Sequence, residues 1–188
     1  MSSLNTASSP DLAAAAGAAS GTAPEATSPV RSSLIGRDLT LAHDGRTVLE
    51  SVSVELRPGG VTAFVGANGS GKSTLLRTLA RLHAPRGGVV LLDGRDISGF
   101  GTRALAREVA ILAQATQTPD AVTVREVVEL GRYPHQGLLG RMRAQDREAV
   151  DWALEVTELG PFADRPLTQM SGGERQRVWI AMALAQQA

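Results

Sequence analysis

From Leu34 onward the chain switches between two hydrophobic periods, and each switch marks an element. Leu39 and Leu41 alternate with polar positions, Asp44-Gly45 supplies a turn, and Val52, Val54 and Leu56 alternate again up to Pro58-Gly59. This pattern predicts antiparallel strands. Val61 to Val65 reads as a short apolar strand running into Gly66, and from Ser73 the spacing of Leu75, Leu76, Leu79 and Leu82 is helical. Val89 to Leu92 and Val109 to Leu112 read as further strands, with a short helical stretch around Arg103 to Arg107 between them. Thr123 and Glu126 have capping-box spacing before one helix, a second runs from about Gln145 and is ended by Gly160-Pro161, and a third opens at Ser171. On that third helix Val178, Ala181, Met182 and Ala185 share the inner face. There is no internal repeat.

Ahead of this pattern, residues 1–33 are dominated by Ala, Ser, Thr, Pro and Gly, and their only charges are Asp11, Glu25 and Arg31. Such a segment buries too little apolar surface to offset its ordering entropy, so it reads as a disordered tail. The remaining stretch, 34–188, has the length of one domain. Nineteen basic residues balance nineteen acidic ones, so no positive field draws the protein to nucleic acid. The absence of cysteine excludes a disulfide framework and a thiolate metal site. No apolar run is long enough to span a bilayer, so membrane association would go through a partner.

All the basic residues but one are arginine, and the exception, Lys72, falls in a motif. Gly66-Ala67-Asn68-Gly69-Ser70-Gly71-Lys72-Ser73 fits G-x-x-x-x-G-K-[ST] and sits between a predicted strand and a predicted helix, the context that the motif requires. Glycines let the backbone curl so that successive N–H groups point at phosphate oxygens, and the helix beginning there adds its positive end. Lys72 then supplies a point charge to the β- and γ-phosphates of ATP, Ser73 a hydroxyl to Mg²⁺, and Thr74 a donor to a phosphate oxygen. A compact ammonium in place of a planar guanidinium suits that position. The competing reading, a glycine-rich turn with a surface lysine, leaves the strand and helix on its flanks unexplained.

Ser171-Gly172-Gly173-Glu174-Arg175-Gln176-Arg177 opens the last helix. Ser171 and Glu174 have capping-box spacing, yet a plain helix start does not explain two consecutive glycines where a helix disfavours them. Bare N–H groups at a helix N-terminus suit an anion, and glycine lets it approach. This heptapeptide, 99 residues after Lys72, closely resembles the signature motif of ABC ATPases, and the chain from about Leu34 to Ala188 is similar to them. The resemblance implies an α/β fold: a P-loop NTPase core of parallel sheet and helices, an N-terminal antiparallel β subdomain, and a helical subdomain over roughly 114–170. It implies that two such domains stack head to tail, each ATP clamped between the P-loop of one and Ser171, Gly172, Gly173 and Glu174 of the other. Gln114 resembles the glutamine that ligates Mg²⁺ and senses the membrane subunit. His43 stands where the family usually stacks an aromatic ring on adenine; it either takes that role with a smaller ring or is a solvated loop residue. His83 and His135 show no partners in sequence and read as surface residues.

In the family, the metal-holding aspartate and the water-positioning carboxylate lie after the signature helix, and the chain ends at Ala188 without them. It therefore reads as a partial ABC ATPase domain that hydrolyses ATP poorly by itself. Asp93, after Val89 to Leu92, reads as a turn residue. Thr123 to Glu129, then Gly131-Arg132-Tyr133-Pro134-His135, then Ser171 to Gln186 are similar to the importers of iron-siderophore, haem and cobalamin complexes. That likeness implies an ATP-hydrolysing subunit peripheral to the cytoplasmic side of the cell membrane, docked on permease subunits and served indirectly by an extracellular substrate-binding protein. Arg132, Arg141, Arg143 and Arg147 read as a solvated basic face. The alternatives are a translation- or repair-linked ABC ATPase and a non-catalytic ATP-binding fragment.

Overall fold

The computed structural model describes residues 33–112, 122–137 and 140–188; the expected N-terminal tail, apart from Ser33, and Gln114 lie outside them. Two compact units divide at residue 99.

The first unit is a sheet with one helix on it. Strands β1 (Leu34–His43) and β2 (Arg46–Leu56) form the predicted hairpin. Its turn is Asp44-Gly45, both at positive φ, as a two-residue turn that follows the strands' twist requires. Strand β3 (Gly87–Leu92) pairs antiparallel with the other edge of β1, and the short β4 (Arg95–Asp96) follows through a turn at Asp93-Gly94, giving the order β2-β1-β3-β4. Asp93 is the turn residue expected, and its carboxylate accepts the Ser33 N–H at 2.8 Å. Helix α1 (Lys72–Leu79) lies against β1 and buries Leu75, Thr78 and Leu79; in the sheet Leu39, Leu41, Leu49 and Val90 are buried. Each leucine taken fully out of water contributes about 1.5–3 kcal/mol. Leu76 and Leu82, which the spacing also assigned to the helix's apolar face, are exposed. Leu76 falls off the buried stripe, and Arg81 at φ 56 has already turned the chain out of the helix before Leu82.

Neither Val61 to Val65 nor Val109 to Leu112 forms a strand. Val61 is 94% exposed, and Val65, Ile111 and Leu112 are exposed too. A strand exists only where a neighbour takes up its backbone N–H and C=O groups, and no strand lies beside either segment among the described residues. Apolar composition alone cannot supply that neighbour.

The second unit is helical. Helix α2 (Thr102–Leu105) is shorter than the helical stretch expected there. Helices α3 (Val124–Leu130), α4 (Ala144–Val156) and α5 (Gly172–Gln186) pack on one another. Val127 and Val128, Val150, Ala153 and Leu154, and Val178, Ala181 and Ala185 share their core, with Met182 packed at its margin as the inner-face reading expects. The predicted box at α3 is present in both directions, Glu126 N–H to Thr123 Oγ1 at 3.2 Å and Thr123 N–H to the Glu126 carboxylate at 2.7 Å. Helix α4 stops earlier than Gly160-Pro161. Glu158 takes a left-handed conformation and the Leu159 N–H closes back on the Leu154 carbonyl at 2.8 Å, a C-terminal motif that here uses a glutamate where glycine is usual. Gly131 follows α3 where the backbone of α5 comes so close that a Cβ would collide with the Met182 carbonyl.

Arg132 overturns the solvated-face reading, for it is buried. Its guanidinium donates to Asp146 at 3.0 Å, to the Ala185 carbonyl at 2.8 Å and to Gln187 Oε1 at 2.9 Å. The two histidines also have partners. His135 Nε2 donates to the Gln186 carbonyl at 2.8 Å, and His83 Nε2 to the Ala42 carbonyl at 2.8 Å; both rings are half-buried. Burial pushes the Asp146 carboxyl up, but the Arg143 N–H, the Arg132 guanidinium and the charges of Arg132 and His135 more than reverse this and leave it below its ordinary value.

Removing one member of a buried pair leaves the other charge uncompensated, so Arg132→Ala should lower unfolding free energy by about 3–5 kcal/mol in urea titration at neutral pH. The depressed Asp146 pKa gives a second expectation. Its stabilisation is complete above the unfolded-state value of roughly 3.9 and is lost as pH falls through the lower folded-state value. Unfolding midpoints of the parent chain and Asp146→Asn should therefore converge as pH is taken below about 4. Parallel curves would assign the acid sensitivity elsewhere.

Candidate functional site

The first unit carries the phosphate-loop candidate, Gly66 to Thr74. Gly71 caps α1 at φ 89 and ψ 3, and a Cβ there would stand 2.8 Å from Leu49 Cγ, so both backbone and space call for glycine. Upstream, Asn68-Gly69 makes a turn closed by the Ser70 N–H on the Ala67 carbonyl at 3.2 Å. Lys72 opens the helix, and its Nζ donates to the carbonyls of Gly66 at 2.9 Å and Ala67 at 2.7 Å, with Ser70 Oγ at 3.4 Å. The ammonium thus closes the loop through its own backbone, without a carboxylate partner among the described residues. Helix geometry leaves the N–H groups of the first turn without intrahelical acceptors, and no acidic residue in that turn cancels its positive end. Ser73 is exposed and Thr74 half-buried, each one residue further along the turn. A polyanion with several oxygens suits this set of donors.

For a divalent cation the described residues offer the Ser73 hydroxyl and no group of three or more His, Asp or Glu. One neutral ligand fits Mg²⁺ only in the company of phosphate oxygens, which is how a nucleotide brings the ion. His43 ends β1 opposite Arg46. Its ring is exposed, with Nε2 3.7 Å from the Asp44 carboxylate.

The second unit carries the signature candidate. Ser171 caps α5, its Oγ accepting from the Glu174 N–H at 3.3 Å while the Glu174 carboxylate accepts from the Ser171 N–H at 2.7 Å. Hydrogen bonds from the Ser171 hydroxyl and N–H, with the charges of Arg165 and Arg177, hold the Glu174 carboxyl below its usual range. Gly172 and Gly173 are exposed, and a Cβ on either would meet nothing within 4 Å. The approach to Ser171 is fixed by backbone bonds between residues 122–125 and 163–167, including Leu167 N–H to Val122 at 2.8 Å and Val124 N–H to Arg165 at 3.0 Å. Leu167 and Met170 are buried beneath it.

Gln114, expected to ligate Mg²⁺, lies outside the described residues. Three residues that shape these sites were missed in the sequence reading: Leu49 under Gly71, His83 on the Ala42 carbonyl and Arg132 at the end of α5. Each acts on a partner 22 to 53 positions away, where no local spacing rule reaches.

Comparison with known proteins agrees with this geometry. The sequence profile described as "ABC transporter" matches residues 49–188. The ferric enterobactin transport ATP-binding protein FepC of Escherichia coli (strain K12) is 49% identical over 154 residues, covering 82% of this chain and 57% of FepC. The iron(3+)-hydroxamate import ATP-binding protein FhuC of Bacillus subtilis (strain 168) is 42% identical over 154 residues, with the same coverage of each chain. The chain thus spans a little over half the length of these curated relatives. Among solved structures, cbiO1 of Clostridium perfringens, part of the ABC transporter complex cbiONQ, superposes with a TM-score of 0.67 at 28% identity, covering 81% of this chain and 61% of that one. An α/β P-loop fold with an antiparallel sheet and a helical unit is what these likenesses share with the description above. With the phosphate-loop and signature residues inside a profile match that covers most of its length, the chain belongs to the ABC transporter family.

Proposed function

We propose that the chain is the nucleotide-binding part of an ATP-hydrolysing subunit that powers an importer of ferric siderophore or a related metal chelate. The observation that carries the nucleotide reading is the loop at residues 66–74: a left-handed glycine seated on Leu49 turns the backbone into α1, and the chain's only lysine closes over it through backbone carbonyls. The cargo class is supported by the relatives, whose names are those of ferric enterobactin and iron-hydroxamate transport proteins.

In this reading the N–H groups from Gly66 to Thr74 bind the ATP phosphates, and Lys72 exchanges the Gly66 and Ala67 carbonyls for phosphate oxygens. His43 stacks on the adenine. The Ser73 hydroxyl and Gln114 would hold Mg²⁺, which would supply neutralisation of phosphate charge. Ser171 to Glu174 serve the nucleotide of a second ABC ATPase domain in a head-to-tail dimer: exposed N–H groups at the start of α5, unshielded by side chains at Gly172 and Gly173, receive the terminal phosphate from the partner's site. The subunit sits at the cytoplasmic face of the membrane on permease subunits, and an extracellular binding protein delivers the chelate. No described helix is long and apolar enough to cross a membrane. The balance of charge argues against nucleic acid as a partner.

Lys72→Ala should weaken MgATP binding by roughly 10- to 100-fold, the equivalent of losing about 1.5–3 kcal/mol of charge-assisted hydrogen bonding, in calorimetric titration. Unchanged affinity would remove the nucleotide reading. Gly173→Ala separates the signature's role from its structure: the space around it is open and alanine favours a helix, so stability should hold or rise. ATP-dependent dimerisation, followed by light scattering, should nevertheless be lost. A variant that still dimerises on ATP would show that nothing docks there.

A further inference from the structure

The segment leaving α1 does more than connect it to β3. Arg81, at φ 56, turns the chain out of the helix, and the residues that follow fold back along the β1–β2 hairpin. His83 is half-buried with its Nε2 2.8 Å from the Ala42 carbonyl. A carbonyl oxygen only accepts, so Nε2–H donates whether or not the ring is charged. Arg86 adds two bonds, its backbone N–H to Thr40 at 2.8 Å and its guanidinium to the Gly45 carbonyl at 3.0 Å. The hairpin backbone is therefore gripped at residues 40, 42 and 45, and His43 lies between the last two.

This grip replaces sheet. Pairing of β1 with β3 ends at Thr40 opposite Gly87, so among the described residues no strand neighbours that edge at Ala42 and His43. The imidazole of His83 takes the place that a ladder donor would have taken. The His43 side chain itself is 60% exposed, with its Nε2 3.7 Å from the carboxylate of the still more exposed Asp44. An imidazole presents less stacking area than a tyrosine or tryptophan ring, so a contact made by it tolerates less loss to backbone motion. Fixing such a ring before the ligand arrives reduces what binding must spend on ordering it.

We infer that His83, assisted by Arg86, is a positioning residue for base recognition: it holds the end of the β1–β2 hairpin so that His43 is presented to the purine of a nucleotide. The inference rests on the nucleotide reading above and on His43 as its base contact. It predicts a division of labour. The phosphate loop is held by Gly71 on Leu49 and by the bonds of Lys72, none of which involves His83, so weakening the brace affects the base and leaves the phosphates.

The test compares MgATP with magnesium tripolyphosphate, which has the phosphates and no base, by calorimetric titration on the full chain. His83→Ala should weaken MgATP by roughly three- to tenfold, the range set by one net hydrogen bond, and leave tripolyphosphate unchanged. His83→Gln, which places an amide N–H near the position of Nε2, should restore most of the MgATP affinity. Arg86→Ala, at an exposed position, should show the same selectivity with a smaller loss. In a His43→Ala background the effect of His83→Ala should vanish. Equal weakening of both ligands, weakening of neither, or a full effect in the His43→Ala background would overturn the inference while leaving the phosphate site intact. If His83→Ala fails to fold, Arg86→Ala and His83→Gln decide by the same criteria. A parent chain that binds neither ligand overturns the nucleotide reading and this inference with it.

Discussion

The left-handed backbone at Gly71, resting on Leu49, is the contact on which the first unit depends. A helix that starts out of a tight loop needs a residue that can bend the wrong way for an L-side chain, and it needs a floor. Leu49 is that floor, and it is held there because it belongs to β2 and lies opposite Leu41, which is wholly buried. The hairpin therefore does two things at once. Its interior face packs α1 through Leu75 and Leu79, and its middle supports the residue from which α1 departs. With the loop fixed from below, Lys72 closes it from above by two carbonyl bonds.

The second unit meets a comparable demand with polar groups. Helix α5 is tied at both of its ends. At the start, the reciprocal bonds of Ser171 and Glu174 satisfy orphan N–H groups. At the finish, Arg132 and His135 take the carbonyls of Ala185 and Gln186, where a helix presents unpaired acceptors and its negative end. Gln186 extends the tie by donating to the carbonyls of Ala106 and Val109. A guanidinium taken out of water is costly unless its donors are used, and those of Arg132 are spread over a carboxylate, a carbonyl and an amide. Among the described residues no buried side-chain polar atom is left without a partner.

How much of this was legible in sequence depended on the distance over which each feature is determined. The hairpin, α1, the boxes at Thr123 and Ser171 and the turn at Asp93 are set by residues within a few positions of one another, and all are present. The two loop motifs are contiguous, so the family likeness they carry was equally readable. Val61 to Val65 and Val109 to Leu112 had the composition of strands, but pairing is decided by a neighbour that composition does not name. The end of α4 was misplaced because Glu158, not a glycine, adopts the left-handed turn. Arg132 looked like one more surface arginine in an arginine-rich stretch. Its burial follows from the approach of α3 to α5 at Gly131 and from Asp146 fourteen residues away, and neither leaves a local mark.

The glycines of the two motifs carry information of different kinds. Gly71 is required by the chain itself, since its φ is positive and Leu49 fills the space where a side chain would go. Gly172 and Gly173 face no such requirement: they occupy the first turn of a helix, and the volume that a Cβ would take is open. Alanine at either position would favour the helix, by at most about 1 kcal/mol relative to glycine. The chain forgoes that gain at two consecutive residues. Among the described residues no contact of a Cβ explains that cost, which accords with the proposed role of these bare N–H groups toward an anion brought by a second molecule. Under the proposed function, the glycine of the first motif answers to the chain's own packing and the glycines of the second to another subunit, an asymmetry that a shared site would leave in one of its members.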